Sequence, residues 1–154
     1  MQGLDILFII SRWIHVISAV IVVGGTIFVR FVLAPAGATL PEEVHEQLRS
    51  RLMPRWRKIV HACIGLLLLT GGVNLFVAIS NHVKPMPYHA IFFVKFLMAL
   101  AVFFLAIALT GTSPGFASLR AARKKWLAVM AVLGVLVIML SGVLKFLHEQ
   151  SLVG

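Results

Sequence analysis

Four apolar stretches dominate the sequence, and each is long enough to cross a membrane. They run over residues 6–33, 59–79, 90–110 and 126–147. At about 1.5 Å per residue, a helix of ~20 residues spans the roughly 30 Å of hydrocarbon in a bilayer. The stretches are too long for strands, and a helix satisfies its own backbone hydrogen bonds in lipid. The sequence therefore predicts an all-α membrane protein, with residues 1–154 forming one four-transmembrane-helix bundle.

The composition argues against a soluble protein and against a nucleic-acid partner. Hydrophobic residues make up 60% of the chain and charged residues 12%, whereas soluble domains are about 25% charged. A net charge of +9 would suggest nucleic acid in a soluble chain. Here the basic residues lie between apolar stretches, where they contact anionic lipid. We therefore expect membrane lipid as a partner, and the single cysteine, Cys63, excludes an intrachain disulfide.

The basic residues also predict the orientation in the membrane. The second link contains only Lys84, whereas the first and third links contain Arg49, Arg51, Arg55, Arg57, Lys58, Arg120, Arg123, Lys124 and Lys125. Links rich in Lys and Arg stay in the cytoplasm. We expect a bacterial cytoplasmic membrane protein with both termini on the outer side. Within the first link, acidic residues followed by arginines predict a short surface helix between Pro41 and Pro54.

Ionisable side chains inside the spans are the candidate functional residues, because each costs ~2.5–3.5 kcal/mol to insert. They are Arg12, His15, His61, Lys95 and, nearer a span end, Lys145 and His148. At helical spacing they fall on four stripes: Arg12, His15, Ser18, Val22 and Gly25; Arg57, His61, Gly65, Leu68 and Gly72; Ile91, Lys95, Met98 and Val102; and Gly134, Ile138, Ser141, Lys145 and His148. Small residues on such a stripe allow close helix packing or leave room for a flat ligand.

Several of these ionisable residues can be explained without a functional site, by helix packing or by side chains that extend to the lipid headgroups. Lys145 and His148 lie near the outer end, and His89 lies at the start of the third span, so these side chains can reach the headgroups. His15 and Lys95 lie about two turns below the outer surface, too deep for such contact. They reach the same level of the bundle from different helices.

This arrangement suits a haem b between the helices. His15 is the first-choice axial ligand and a neutral Lys95 the second, with His61, His89 and His148 as substitutes. Arg12, one turn further out, would pair with a propionate, and Lys145 is a weaker candidate for that role. The chain has no CxxCH motif, which excludes covalent haem attachment.

Several segments resemble known membrane families. Arg12-Trp13-Ile14-His15-Val16-Ile17-Ser18-Ala19-Val20, followed by Gly24-Gly25, resembles the first helix of HemJ-type protoporphyrinogen oxidases and of copper-resistance D-type proteins. Arg57-Lys58-Ile59-Val60-His61, Leu66-Leu67-Leu68-Leu69-Thr70-Gly71-Gly72-Val73-Asn74 and Tyr88-His89-Ala90-Ile91-Phe92-Phe93-Val94-Lys95-Phe96-Leu97 resemble the copper-resistance D pattern. The resemblance covers nearly the whole chain.

The HemJ-type resemblance implies a helical bundle that binds haem b through His15 and Lys95, with protoporphyrinogen oxidation as a candidate enzyme activity. This sequence departs from that family at two places. Phe93 stands where these oxidases carry a histidine, and Val32-Leu33-Ala34-Pro35 replaces the usual Tyr-His at the end of the first helix. The copper-resistance resemblance implies metal handling at the membrane.

Three functions remain open on the sequence. The first is a haem b protein in electron transfer or a small membrane oxidoreductase, with a membrane or periplasmic redox partner. The second is copper binding or transport, because His82, Met86 and His89 offer imidazole and thioether ligands near the outer surface. The third is a cofactor-free assembly partner, and a homo-oligomer is compatible with all three. No nucleophile–base, phosphate-loop or metalloprotease motif favours a hydrolase.

Overall fold

The chain forms a set of long helices, and the computed structural model describes its backbone over residues 2–81 and 86–153 and its side chains over residues 6–76 and 89–147. No strand occurs in these described segments. The elements are α1 (Gln2–Phe28), a π-helical segment (Val29–Leu33), α2 (Ala34–Gly37), α3 (Glu42–Asn81), α4 (Met86–Thr110), a 3-10 turn (Pro114–Phe116), α5 (Ala117–Ala121) and α6 (Arg123–Val153).

Four of the described helical segments are long and apolar enough to cross a membrane. They are Ile6–Gly37, Glu42–Phe76, His89–Thr110 and Arg123–Leu147. Three of them contain a whole apolar stretch found in the sequence, and Glu42–Phe76 contains residues 59–76 of the second stretch. The prediction of an all-α, four-helix membrane bundle is therefore confirmed.

The four long helices pack as a ring in the order α1, α3, α4, α6. The most extensive contacts join α4 to α6 and α1 to α3, and the contact between α3 and α4 is the smallest of the four sides. Short links at 38–41 and 111–122 reverse the chain direction, so that neighbouring long helices run antiparallel.

A proline explains why the first span contains a π-helical segment. The Ala34 N–H donates to the carbonyl of Val29, five residues earlier instead of four. Pro35 has no N–H, and in a regular α-helix its ring would clash with the carbonyl of Phe31. The wider turn accommodates the ring, and the helix continues through α2 to Gly37.

The prediction of a surface helix after Pro41 is confirmed, since a helix begins at Glu42, but the prediction that it ends before Pro54 was wrong. The structure instead joins these residues to the second span as one helix of 40 residues, with Pro54 inside it. Pro54 removes the hydrogen-bond donor for the carbonyl of Ser50, but both residues are exposed. Water or headgroups can therefore satisfy that carbonyl, and the helix does not need to end.

The main cluster of buried apolar side chains lies in one half of the bundle, although Leu144 is also buried in the other half. We call the end that carries the links 38–41 and 111–122 the basic end, and the opposite half, with residues 6–18, 70–76, 89–98 and 137–147, the far half. The buried cluster lies toward the basic end and consists of Val22, Val29, Val60, Cys63, Ile64, Leu67, Val102, Leu105, Ala106, Leu109, Leu127 and Met130. It has no member in the far half.

Two glycines bring α1 close to its neighbours in the core. A Cβ at Gly25 would overlap the indole of Trp56 on α3, and a Cβ at Gly134 on α6 would lie 2.7 Å from a methyl group of Val23. Only glycine allows these approaches. At the basic end, Arg30 Nε donates to the carbonyl of Lys124 at 2.9 Å, which ties α6 to the first span.

Candidate functional site in the far half

His15 is held by a hydrogen-bond chain that fixes its protonation pattern. The Thr70 hydroxyl on α3 donates to the carbonyl of Leu66 at 2.6 Å. Its oxygen lies 2.9 Å from Nδ1 of His15. Because the hydroxyl hydrogen is already used, Thr70 acts as the acceptor and Nδ1 carries the hydrogen. The neutral imidazole then keeps a lone pair on Nε2, the atom that can bind a metal.

The His15 ring also packs against α3. A Cβ at Gly71 would lie 3.4 Å from Cε1 of His15, so the ring lies over the surface of this glycine. His15 itself is half-buried. The hydrogen bond to Thr70 and the contact with Gly71 together restrict the ring to one orientation.

Two buried polar atoms without partners lie one turn further from the basic end. Ser11 Oγ and Asn74 Oδ1 are buried and have no hydrogen-bond partner among the described residues. Ser11 precedes His15 by one turn on α1, and Asn74 follows Thr70 by one turn on the antiparallel α3, so both lie at one level. Buried polar atoms are normally satisfied, and such a pair indicates an unfilled interaction.

Lys95 of α4 faces the same region. It is half-buried, and its side chain lies near enough to His15 for the two groups to interact electrostatically. Its stripe faces the bundle as the sequence predicted, because Ile91 and Met98 are half-buried and Val102 is buried. We call Ser11, His15, Thr70, Asn74 and Lys95 the His15 cluster, and it contains no carboxylate.

Helix α6 adds a hydroxyl group near the level of the His15 cluster. Ser141 is half-buried, and its hydroxyl donates to the carbonyl of Val137 at 2.8 Å. Gly134 lies against Val23 of α1. Ser141 lies about two turns beyond Gly134 on α6, and His15 lies about two turns from Val23 on α1, both in the direction of the far half. Ser141 and His15 therefore lie at similar depth in the bundle.

The other predicted site residues lie outside this cluster. Arg12, His61, His89 and Lys145 are exposed. His61 donates from Nδ1 to the carbonyl of Arg57 at 2.7 Å, a hydrogen bond within its own helix. His89 and Lys145 both make further interactions. The side chains of His148, His82 and Met86 lie outside the described residues.

The predicted stripes on the second and fourth spans point partly away from the bundle. On α3, His61, Gly65, Leu68 and Gly72 are exposed, and the buried stripe is Val60, Cys63, Ile64, Leu67 and Thr70. On α6, Gly134 and Ser141 face inward but Ile138 and Lys145 are exposed. Because lipid is as apolar as the protein core, apolar residues occur on every face of these helices. The sequence therefore does not indicate which face packs against the other helices.

Ser11, Thr70 and Asn74 are the site residues that sequence reasoning missed. Signals for them exist, since Ser11 is in helical phase with His15 and Ser18. Thr70 and Asn74 are polar, four residues apart and in helical phase with Cys63 and Leu67. The small-residue stripe containing His61 drew attention to the wrong face of the same helix.

Comparison with known proteins adds no neighbour to this description. No protein-family model, curated protein or solved structure matches the chain. In the described part of the chain, no group of three or more His, Cys, Asp or Glu side chains is placed to hold a metal ion. The chemistry of the His15 cluster therefore depends on one imidazole, one amine and neutral polar groups.

Proposed function

We propose that this protein binds haem b between the helices of the far half and works in electron transfer or as a small membrane oxidoreductase. The observation that carries the proposal is the hydrogen bond from His15 Nδ1 to Thr70, which leaves Nε2 free. Histidines that bind metals usually donate their other ring N–H to a fixed acceptor, which sets the tautomer and the ring orientation.

The surrounding residues fit the same group. His15 would bind the iron, and Lys95 in its neutral form would supply the second axial ligand from α4. Ser11 and Asn74 offer buried polar atoms that have no partner in the described part of the chain, which suits a polar edge of a bound molecule. When bound, haem would supply an iron centre that exchanges one electron.

Charged residues near the far end provide candidate partners for the haem propionates. Arg12 lies one turn outward of His15, and an exposed guanidinium there can fold toward an anion. Lys145 is a second candidate for the same role. His89 and His148 are substitute ligands from the far end, whereas His61 lies on an exposed face and would serve only a ligand outside this bundle.

The proposed location follows from the distribution of positive charge. We place the protein in a bacterial cytoplasmic membrane, with the basic end facing the cytoplasm and both termini outside. The His15 cluster then lies near the outer leaflet. A redox partner would be another membrane protein or a periplasmic protein, and the chain itself could form a homo-oligomer.

The test is the visible spectrum of the protein, purified from cells supplied with a haem precursor. We expect a Soret band and a pyridine haemochrome spectrum of the b type. His15→Ala should remove most of the bound haem, and Lys95→Leu should shift the Soret band, because each removes one axial ligand. His61→Ala is the matched control, an exposed histidine whose loss should leave the spectrum unchanged.

Three results would contradict the proposal. A colourless protein that is folded and free of iron would remove haem binding altogether. Copper retained in place of iron would favour the copper-binding alternative, and its loss in His89→Ala would locate that site. If His15→Leu and Lys95→Leu were as stable as the wild type or more so, with no pigment in any of them, a cofactor-free assembly role would be favoured.

A further inference from the structure

A second candidate site lies at the other end of the bundle, far from His15. A cavity of about 550 Å³ opens between α2, the first turns of α3 and the link between α4 and α6. Its basic lining residues are His45, Arg49, Arg120, Arg123, Lys124 and Lys125, and no Asp or Glu of the described segments lines it. Glu42, Glu43 and Glu46 instead line a separate depression.

The arginines of this cavity are poorly satisfied by the protein. Arg120 Nη1 is buried and has no hydrogen-bond partner among the described residues. Arg123 Nη2 contacts the thioether sulfur of Met53 at 3.0 Å, and a thioether is a weak acceptor. Arg49 and Arg123 line the same cavity, so their like charges repel each other. A buried guanidinium group normally has an anionic partner, so the cavity lacks a negative charge.

Arg49 has one ion pair, which does not supply that charge. Its Nη1 atom lies 3.7 Å from the Glu46 carboxylate, and the two side chains are 50% and 64% exposed. An exposed pair at this distance is weak. The guanidinium groups of Arg120 and Arg123 therefore still lack an anionic hydrogen-bond acceptor among the described residues.

The remaining walls of the cavity are apolar. Leu33, Leu48, Leu52 and Leu127 line it together with the arginines. Its occupant should therefore combine an anionic group with an apolar body. Guanidinium groups match phosphate oxygens in charge and in geometry, and the ends of membrane spans lie at the level of lipid phosphates.

We propose that this cavity binds a phosphate group carried by an amphiphile, with an anionic phospholipid of the adjoining leaflet as its source. The phosphate lies between Arg49, Arg120 and Arg123. The glycerol and the upper acyl carbons lie against the leucines. This site is independent of the His15 cluster and of any haem.

The experiment measures lipid binding to the full-length protein in phosphatidylcholine nanodiscs. Phosphatidylglycerol is added in increasing proportion, and retained lipid is counted by native mass spectrometry. We expect at least one phosphatidylglycerol to be held in preference to phosphatidylcholine. Arg120→Gln and, separately, Arg49→Gln should weaken this binding by about tenfold or more. The exposed Arg49 tolerates substitution even if Arg120→Gln impairs folding.

Arg55→Gln is the matched control. Arg55 is exposed, lies near the same end of the molecule and does not line the cavity. Arg55→Gln removes the same charge as the two test variants. Because Arg55 does not line the cavity, this variant should bind the lipid as the wild type does. If Arg49→Gln, Arg120→Gln and Arg55→Gln all weakened binding equally, or if none did, the attraction would be general surface electrostatics and the proposal would be overturned.

Soluble competitors distinguish the two sources of phosphate. Short-chain phosphatidic acid should displace the retained lipid at much lower concentration than inorganic phosphate, because only the former contacts the leucines. Equal displacement by inorganic phosphate would keep the phosphate site and assign it to a soluble anion. No displacement by either compound would overturn the site.

Discussion

At the scale of single residues, the hydroxyl of Thr70 helps to determine the orientation of the His15 ring. It accepts from His15 and donates to its own helix, so one oxygen connects the imidazole on α1 to the backbone of α3. In the haem site proposed above, Thr70 would act through His15, whose ring it positions. Its removal should change how His15 binds before it changes whether the protein folds.

We expect Thr70→Val to shift the Soret band and to lower haem affinity by about 10–100-fold, the usual effect of losing the acceptor behind a metal-binding histidine. Thr70→Ser, which keeps the hydroxyl, should restore both. Thr110→Val is the control, because Thr110 makes the same bond to its own helix, 2.6 Å to the carbonyl of Ala106, far from His15. Identical spectra for Thr70→Val and the wild type would exclude this role for Thr70.

At the scale of helices, the close contact between α1 and α3 depends on one of two adjacent glycines. A Cβ at Gly25 overlaps the Trp56 indole, whereas a Cβ at Gly24 meets nothing within 4 Å. Gly25→Ala should lower the free energy of unfolding by about 1–3 kcal/mol, because it overpacks the interface. Gly24→Ala should be neutral, or stabilising by up to ~1 kcal/mol, because alanine favours a helix.

Unfolding in detergent, followed by circular dichroism, measures both variants. They share the same chemical change at neighbouring positions, so their difference isolates the contact with Trp56. If Gly24→Ala proved the more damaging variant, the packing described for α1 and α3 would be incorrect.

Sequence alone predicted the spans but not all of their packing faces. Length and apolar content were sufficient to locate four helices, because a bilayer requires both. The inward faces of α1 and α4 were also predicted, since His15 and Lys95 mark them. The inward face of α6 was predicted only in part and that of α3 was not, because Leu68 facing lipid and Leu67 facing the core look alike in sequence.

Pro54 shows a second limit of local sequence rules. Proline usually ends or bends a helix, which led to the prediction of a separate surface helix. Whether it does so depends on what can satisfy the carbonyl four residues earlier. Ser50 is exposed, but its exposure is set by the tertiary structure and cannot be read from the local sequence.

At the scale of the whole molecule, the basic end predicts the topology in the membrane. We expect a phosphatase that is active only outside the cytoplasm to be active when fused after Gly154, and a fluorescent protein fused there to be dark. The same reporters inserted into the link 111–122 should give the reverse result. Fluorescence from the C-terminal fusion would invert the proposed orientation and move the His15 cluster to the inner leaflet.

The uneven core has a consequence for how such a protein matures. The cluster from Val22 to Met130 holds the helices together near one end, while the far half has less apolar packing to lose. Regions with little buried apolar contact exchange their amide hydrogens first and open at the least free energy. On the proposed function, the helices would assemble before the haem arrives, and the haem would enter by transient separation of the helix ends without dismantling the bundle.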